Sequence, residues 1–176
     1  MVAGFSATIR PLLAIHEISS FSCGKPTLDD WLRSRAVRNQ ASGDSRTFVR
    51  LEDGRVIGFY ALTTGSAARV GLPGALRRNA PDPVPLLLLA QLAVDLRHRG
   101  KGVGRELLRD ALMRMAAASE QIGFRAVATH PLDADAEAFY CRFGFTAVPD
   151  STPRLMLLPL QGLLSARAAA LANEPP

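Results

Sequence analysis

The sequence has little cysteine and no long hydrophobic run. Only two of the 176 residues are cysteines, Cys23 and Cys141; these are too few for a disulfide framework and have no paired spacing for zinc. The longest apolar run, residues 86–90, is far shorter than the ~20 residues of a membrane-spanning helix. The N-terminus lacks the charged region and apolar segment of a secretory signal. We therefore expect a soluble protein that stays in the reducing cytoplasm.

Lysine is almost absent, although the chain is basic. The formal net charge is +5, and because Lys25 and Lys101 are the only lysines, nearly all the positive charge comes from arginine. A basic chain favours anionic partners, and the planar guanidinium group suits phosphate recognition. Biased codon usage also produces arginine-rich, lysine-poor chains. The positions of the arginines therefore carry more information than their number.

The length and composition predict one globular domain. A chain of 176 residues that is 48% hydrophobic is long enough for one core and too short to favour a second independent domain. We place this domain at residues 1–162. Residues 163–176 are expected to form a tail, with a short helix that frays at the last three residues.

Hydrophobic periodicity predicts alternating strands and helices. Thr27 is the expected N-cap of the first helix. Residues 71–85 contain four prolines and are expected to form a long surface loop. The predicted elements are a strand at residues 7–13, a helix at 26–42, a hairpin turning at Asp53-Gly54, strands at 86–94 and 124–129, a helix between them that ends near Gly123, a helix from Asp133 to Gly144, and a last strand at 154–160.

A run of glycines and basic residues joins the strand at residues 86–94 to the helix that follows. Its sequence is Arg99-Gly100-Lys101-Gly102-Val103-Gly104. Glycines let a backbone approach an oxyanion, exposed amides donate to it, and the helix N-terminus adds positive potential. A Walker A loop would need serine or threonine directly after Lys101, and a Rossmann turn would follow the first strand. The turn therefore predicts an anion site of another kind, with an ordinary helix start as the alternative.

The spacing Arg99, two residues, Gly102, one residue, Gly104 resembles the acetyl-CoA signature of the GCN5-related N-acetyltransferases (GNAT). The segments "FSCGKPTLDDWL", "SRTFVRLEDGRVIGFYALTTGS" and "AFYCRFGF" are similar to the toxin branch of that family, the TacT- and AtaT-like toxins of type II toxin-antitoxin systems. The resemblance implies an α/β (α+β) fold, with a central mixed, mostly antiparallel sheet flanked by helices and acetyl-CoA bound where two central strands splay. No metal is expected. The acetyl-CoA contacts that it implies are Leu92, Ala93, Val94, Arg99, Gly100, Lys101, Gly102, Val103 and Gly104.

Tyr140 is the candidate for the acid that protonates the departing thiolate of coenzyme A. The resemblance places it at the position of the family's catalytic tyrosine, in the segment "AFYCRFGF". The thiolate needs a proton, and a phenol with a reference pKa of ~10 still carries one at neutral pH. The alternative is that Tyr140 only packs beside Phe139 and Phe143. Its neighbour Cys141 points about 100° away on the helix and is expected to be core or partly buried.

The strand before the glycine turn contains no carboxylate, although many acetyltransferases have their general base there. Its polar residue, Gln91, cannot accept the proton of an amine. A lysine amine with a pKa of ~10.4 would need a base, whereas an α-amine at ~7.7 would not, and an adjacent ester lowers that pKa further. Aminoacyl-tRNA carries such an amine. Asp95 and His130 could accept the proton through a water molecule, but we expect both to be structural. We expect backbone amides at residues 92–94 to hold the oxyanion.

Arginines outside the glycine turn are the candidates for contacts with tRNA phosphates. They come from the first predicted helix, the residues just after it and the loop at residues 71–85. Regular helical spacing places Arg35 and Arg38 near Trp31. The sequence contains no recognisable RNA-binding module, so the acetyltransferase surface itself would bind the RNA. The candidates are Arg33, Arg35, Arg38, Arg46, Arg77 and Arg78.

We therefore expect a toxin that transfers an acetyl group from acetyl-CoA to the α-amino group of aminoacyl-tRNA and so inhibits translation. The resemblance implies a separate antitoxin, which we expect to be of the ribbon-helix-helix type, and we expect the toxin to form a homodimer. One alternative is a GNAT enzyme that acetylates a small-molecule amine or a protein amino group; this enzyme would need an acidic pocket. Another is a catalytically silent acyl-CoA- or RNA-binding module, against which Tyr140 and the intact glycine turn argue.

Overall fold

The computed structural model describes residues 9–172, with seven strands in one sheet and helices between them. The strand order is β1-β2-β3-β4-β5-β7-β6. The strands are β1 (Ile9–Pro11), β2 (Arg46–Glu52), β3 (Arg55–Ala67), β4 (Val84–Val94), β5 (Ala126–Thr129), β6 (Thr146–Ala147) and β7 (Met156–Pro159). The helices are α1 (Pro26–Trp31), α2 (Val37–Ser42), α3 (Gly74–Arg77), α4 (Val103–Ala118), α5 (Ala134–Cys141) and α6 (Leu160–Ala172).

The strand pairings confirm the predicted mixed sheet with flanking helices. Strand β2 pairs antiparallel with β1 and β3, and β7 pairs antiparallel with β5 and β6. Strands β4 and β5 are parallel. The chain divides into two compact units: unit 1 takes the described residues up to Thr63 and residues 90–113, and unit 2 takes residues 64–89 and the described residues from Arg114 onward.

In unit 1, the predicted helix at residues 26–42 consists of α1, a π-helical segment Leu32–Ala36, and α2. The prediction of Thr27 as its N-cap is wrong. Lys25 is the N-cap, and Pro26 takes the first helical position, where its missing N–H costs no hydrogen bond. The helix ends at Gly43, whose φ of 88° is a left-handed conformation that glycine adopts without strain.

The π-helical segment changes which side chains share a face of this helix. The Trp31 ring stacks on Phe59, with the ring centroids 5.9 Å apart, and packs against the core of unit 1. Arg35 and Arg38 are exposed. A π-helical turn holds more residues than an α-helical turn, so the regular 100° spacing is interrupted in this segment, and the placement of these arginines near Trp31 stays a prediction.

Two local features of unit 1 depend on glycine. The hairpin between β2 and β3 turns at Asp53 and Gly54, both with positive φ, as predicted for a turn that matches the strand twist. Within β3, a Cβ added at Gly58 would lie 2.8 Å from the Leu107 side chain and 3.1 Å from Val103. Gly58 therefore allows the first turns of α4 to pack closely against β3.

In unit 2, the loop predicted at residues 71–85 is more ordered than expected. It contains the short helix α3, and β4 begins at Val84. Leu72, Leu76 and Ala80 are buried in the core of this unit. The prolines and glycines indicate irregular backbone correctly, but the apolar residues between them anchor the segment to the core. The residues between these anchors, Arg77 and Arg78 among them, face solvent.

The remaining elements lie close to their predicted positions. Helix α4 ends at Ala118 rather than near Gly123, and Asp133 caps α5 by accepting a hydrogen bond from the Ala136 amide. Helix α6 begins at Leu160, so the domain boundary at residue 162 stays a prediction. Residues 7 and 8 of the first predicted strand and the predicted frayed end lie outside the described residues. Within residues 9–172, no helix is both long enough and apolar enough to span a bilayer.

Candidate active site

The glycine turn lies in unit 1 between a 3₁₀ turn, Leu96–His98, and helix α4. Gly100 and Gly102 have φ of 73° and 84°, and nothing lies within 4 Å of a Cβ added at either position. Among the described backbone hydrogen bonds, none is donated by the amides of residues 100–102. The first amides of α4 likewise have no acceptor within the helix. The turn therefore presents amides with free donors to an open space.

A buried carboxylate holds the turn in place. Asp95 is 1% exposed and accepts hydrogen bonds from the Ser22 amide and from the Arg97 amide, Nε and Nη2 at 2.9 to 3.2 Å. These hydrogen bonds, above all those from the Arg97 side chain, hold the pKa of Asp95 well below its usual range. Because so weak a base cannot usefully accept a proton near neutral pH, its role is structural, in agreement with the expectation for Asp95.

Two side chains at the beginning of the turn also bind the protein itself. Arg99 Nη2 donates to the Cys23 carbonyl oxygen at 2.6 Å, so the guanidinium group is used to fix the turn. His98 Nε2 lies 2.8 Å from Glu52 Oε2, and this hydrogen bond lowers the pKa of Glu52. The sequence suggested the anion-binding role of this stretch, but it could not indicate that Arg99 binds a carbonyl group.

Strand β4 supplies the predicted backbone contacts before the turn. Leu92, Ala93 and Val94 are its last residues, and Gln91 is only partly exposed. The described pairing of β4 with β5 runs from Leu86 to Leu89, so β4 continues beyond its last pair with β5. The assignment of acetyl-CoA contacts to residues 92–94 and 99–104 stays a prediction, as does the oxyanion site.

Tyr140 lies on α5 in unit 2 and is 6% exposed. Its ring packs against Phe139 and Phe145, with centroids 5.4 and 5.5 Å away. Burial raises the pKa of Tyr140 to about 12, and a hydrogen bond with the Thr129 side chain opposes this rise. Because the phenol stays protonated far above neutral pH, it can serve as an acid. Its role as the catalytic acid stays a prediction here.

The two cysteines differ in environment. Cys23 is buried, and its amide donates to Asp29 Oδ1 at 2.8 Å; burial is the main cause that raises the pKa of its thiol to about 11. Cys23 is therefore structural, as expected. Cys141 is exposed, so the expectation that it lies in the core or is partly buried is wrong. Position 141 lies on the outer face of the short helix α5.

The four candidate arginines in unit 1 divide into two pairs. Arg33 Nη2 donates to the Phe21 carbonyl at 2.7 Å, and Arg46 Nη1 donates to the Gln40 carbonyl at 2.9 Å. Both thus help to hold the N-terminal helix and the segments next to it. For Arg35 and Arg38, no hydrogen bond or ion pair is found within residues 9–172.

The arginines in unit 2 form a basic hollow, which we define as the surface depression lined by Arg69, Gly74, Arg77 and Arg78. Arg69 was not predicted. Its amide donates to Asp82 Oδ1 at 3.0 Å, and its Nη1 donates to the Ala80 carbonyl at 3.3 Å. The Arg78 carbonyl accepts a hydrogen bond from the guanidinium of Arg125 at 2.9 Å. The basic hollow therefore brings three arginine residues to one place on a braced backbone.

Metal chemistry has no support in the described part of the chain. Between residues 9 and 172, no three histidine, cysteine, aspartate or glutamate side chains are grouped so that they could hold a metal ion. His130 is exposed, and its Nδ1 lies 2.8 Å from the Arg154 carbonyl oxygen. This contact agrees with a structural role.

Comparison with known proteins identifies the family of this chain. Residues 43–147 match the family described as acetyltransferase (GNAT) domain. The chain is 49% identical over 157 residues to the tRNA-acetylating toxin of Mycobacterium tuberculosis, covering 89% of this chain and 94% of that protein. It is 32% identical to a probable toxin TacT of Sinorhizobium fredii, covering 85% and 88%. The structure of AtaTR bound with acetyl-CoA matches with a TM-score of 0.79 and 25% identity, covering 90% and 96%. These matches confirm the resemblance seen in the motifs: the chain belongs to the GNAT acetyltransferase family, on the same branch as these toxins.

Proposed function

We propose that this protein transfers the acetyl group of acetyl-CoA to the α-amino group of aminoacyl-tRNA and thereby inhibits translation. The observation that carries the proposal is the glycine turn, with its open amides, in a chain that is 49% identical to a tRNA-acetylating toxin. The turn fits the pyrophosphate of coenzyme A, because a phosphate oxygen can approach glycine backbone where a side chain would obstruct it.

The amine substrate follows from the absence of a base on β4. The strand offers Gln91 and no carboxylate, and Asp95 is held as a weak base by Arg97. An α-amine next to an ester is partly neutral near pH 7 without help, whereas a lysine amine is almost entirely protonated. Aminoacyl-tRNA therefore meets the chemical need of the site better than a lysine side chain does.

Tyr140 is proposed to supply the proton for sulfur. In the reaction, the amine nitrogen bonds to the acetyl carbon, the carbon–sulfur bond breaks, and the amine loses one proton while the sulfur gains one. A phenol with a pKa of about 12 is a weaker acid than a thiol at ~8.5, so complete transfer to a free thiolate is uphill by about 5 kcal/mol. The proton transfer must therefore be coupled to the breaking of the carbon–sulfur bond. The proton that the acylated amine releases then restores the phenol.

Mass spectrometry tests the substrate directly. Bulk aminoacyl-tRNA incubated with the protein and acetyl-CoA is expected to gain one acetyl group on the aminoacyl moiety. Deacylated tRNA and free amino acids are the controls, and we expect both to remain unmodified. Acetylation of free amino acids or of lysine peptides, with aminoacyl-tRNA unmodified, would contradict the proposal and favour an enzyme for small-molecule or protein amines.

The basic hollow is proposed to bind phosphates of the tRNA. Reversing two of its charges, Arg77→Glu with Arg78→Glu, is expected to weaken tRNA binding and to reduce the slope of log affinity against log salt by ~1–2, because phosphate contacts are lost. Acetyl-CoA affinity should not change. Fluorescence anisotropy over a salt series measures the affinity for tRNA and its salt dependence. Calorimetry measures the affinity for acetyl-CoA.

The matched control reverses two exposed arginines outside the basic hollow, Arg55→Glu with Arg109→Glu. It changes the net charge by the same amount, so any general electrostatic effect appears in both proteins. Equal tRNA affinity and equal salt slope for the two double variants would remove Arg77 and Arg78 from the interface. The contribution of Arg33, Arg35, Arg38 and Arg46 to tRNA binding is proposed on their charge and position alone.

We also propose that the protein acts in the cytoplasm as a homodimer and is neutralised by a ribbon-helix-helix antitoxin. The support for the antitoxin is the similarity to toxins over most of the chain. The cytoplasm is where aminoacyl-tRNA is found.

A further inference from the structure

The segment at residues 20–23 in unit 1 is hydrogen-bonded to the start of the glycine turn. Three hydrogen bonds join it to residues 95–99. They run from the Ser22 amide to Asp95 Oδ2 at 3.2 Å, from the Leu96 amide to the Ser22 carbonyl oxygen at 2.9 Å, and from Arg99 Nη2 to the Cys23 carbonyl oxygen at 2.6 Å. The backbone of two adjacent residues therefore fixes the part of the chain that leads into the turn.

Asp29 on helix α1 holds the same two residues. It is 6% exposed. Its Oδ1 accepts a hydrogen bond from the Cys23 amide at 2.8 Å, and its Oδ2 accepts one from the Ser22 hydroxyl at 3.1 Å. The carboxylate of Asp29 is therefore connected to the glycine turn through Ser22 and Cys23.

The position of segment 20–23 depends on this carboxylate. Cys23 is 2% exposed, and a buried amide that loses its acceptor is unfavourable. Without Asp29, the segment would shift until the Cys23 amide reached another acceptor. The Cys23 carbonyl oxygen would move with it and weaken the contact with Arg99. The open amides of the turn would then be less well preorganised for an anion, and preorganisation is a large part of binding affinity.

Gly24 gives a second, independent sign that this segment must lie close to the turn. Its φ is 76°, and a Cβ added there would lie 3.3 Å from the Leu96 side chain. Glycine adopts this conformation without strain and leaves room for Leu96. Gly24 and Asp29 both belong to the motif "FSCGKPTLDDWL", so this motif and the glycine turn form one structure although they are far apart in the sequence.

We propose that Asp29 is a positioning residue for acetyl-CoA: by fixing Ser22 and Cys23, it holds the glycine turn where its amides receive the pyrophosphate. The inference rests on the proposed assignment of acetyl-CoA to this turn. Loss of Asp29 should affect the binding of acetyl-CoA and spare the chemical step. A contact of this kind raises KM when it is lost and leaves kcat unchanged.

The test compares Asp29→Ala, which removes both acceptors, with Asp29→Asn, which can still accept from the Cys23 amide and donate to the Ser22 hydroxyl. We expect Asp29→Ala to raise the Kd and the KM for acetyl-CoA ~10- to 100-fold, the value of hydrogen bonds to a charged group. The kcat at saturating acetyl-CoA and the KM for aminoacyl-tRNA should not change. Asp29→Asn should recover most of the affinity. Calorimetry and steady-state kinetics measure these quantities.

Two variants are matched controls. Gln40→Ala breaks a comparable bridge in unit 1, in which Gln40 Nε2 donates to the Leu12 carbonyl oxygen at 2.6 Å and Oε1 accepts from the Thr47 amide at 2.7 Å. It should lower stability as Asp29→Ala does and leave acetyl-CoA affinity unchanged. Asp30→Ala removes the exposed neighbouring carboxylate and should also leave this affinity unchanged.

Three results would each overturn the inference: unchanged acetyl-CoA affinity in a folded Asp29→Ala protein, an equal loss of affinity in Gln40→Ala, or a loss confined to kcat. If Asp29→Ala does not fold, Gly24→Val takes its place, because it displaces the same segment and leaves Asp29 intact. Gly24→Val should weaken acetyl-CoA binding, whereas Gly43→Val, at another left-handed glycine, should not. Equal affinity in these two variants would also reject the proposal.

A third variant distinguishes failure of this inference from failure of the proposed acetyl-CoA site. Gly102→Val obstructs the turn itself. If it binds acetyl-CoA as the parent protein does, the assignment of the turn fails, and the role of Asp29 fails with it. A loss of affinity in Gly102→Val beside full affinity in Asp29→Ala rejects the role of Asp29 alone.

Discussion

Tyr140→Phe is expected to acetylate aminoacyl-tRNA ~10²- to 10⁴-fold more slowly than the parent protein, the usual cost of losing a positioned acid. The substitution removes one oxygen and keeps the ring contacts with Phe139 and Phe145, so the folded state and the affinities for acetyl-CoA and tRNA should survive. Cells should then tolerate expression of the variant without antitoxin. Single-turnover kinetics measures the loss.

The pH dependence sharpens this prediction. Because burial raises the pKa of Tyr140 to about 12, the phenol stays protonated at all pH values up to about 10, and the parent rate should not fall over that range. It should instead rise as the α-amine of the substrate loses its proton, below pH ~7.7 because the adjacent ester lowers the pKa of the amine. A rate that falls between about pH 8 and 10 would contradict the value of this pKa.

Tyr60→Phe is the control for loss of a tyrosine hydroxyl. Tyr60 is the only other tyrosine, and its hydroxyl donates to the buried Asp110. Stability should fall in this variant, because a buried carboxylate loses a donor, while the rate should stay within a few-fold of the parent. If Tyr140→Phe also stays within a few-fold of the parent rate, water or another group protonates the thiolate.

Gly102→Val is expected to abolish measurable acetyl-CoA binding without unfolding the protein. Gly102 has a φ of 84° with open space around it. A β-branched residue there would strain the backbone and place its methyl groups where the phosphate oxygens should approach the amides. Calorimetry on the folded variant measures the loss, and circular dichroism establishes that it is folded.

Gly43→Val is the control that distinguishes the effect of backbone strain from the loss of acetyl-CoA binding. Gly43 has a φ of 88° and is also free of neighbours within 4 Å, but it ends α2 instead of forming the glycine turn. Both variants should lose similar stability, and only Gly102→Val should lose acetyl-CoA binding. Unchanged affinity in a folded Gly102→Val protein would reject the assignment of the turn.

The sequence predicted the local features that one residue type determines. The hairpin at Asp53 and Gly54, the end of α2 at Gly43 and the cap of α5 at Asp133 depend on backbone preferences that neighbouring residues do not alter. The glycine turn belongs to the same class, since its spacing between a strand and a helix is visible in the sequence. Apolar spacing located β4 within two residues at its start.

Features that depend on distant contacts were not predictable in this way. The π-helical segment Leu32–Ala36 has no sequence signature, so the sequence predicted one regular α-helix there. Hydrogen bonds between distant residues, such as Arg99 with Cys23 and Thr129 with Leu89, exist only in the folded chain. Gly58 does carry a sequence signal, because an isolated glycine in a strand pattern indicates that another segment packs closely against the strand.

Reference pKa values were equally insufficient to describe the proposed proton transfer from Tyr140 to the sulfur of coenzyme A. They place the phenol only ~1.5 units above a thiol, and burial of Tyr140 widens this difference. The consequence is a transfer that needs a hydrogen-bond donor for the phenolic oxygen. That requirement emerged from the fold, because the burial of Tyr140 is a tertiary property.

The unequal exposure of the two cysteines makes the natural protein ready for single-site labelling. The Cys23 thiol is buried with a pKa of about 11, and so little of it is thiolate at neutral pH that it should resist maleimides. Cys141 is exposed and follows Tyr140 directly. A fluorophore attached there would report on α5, the helix that carries Tyr140, without any engineered cysteine, and arrival of tRNA could be followed as a change in its emission.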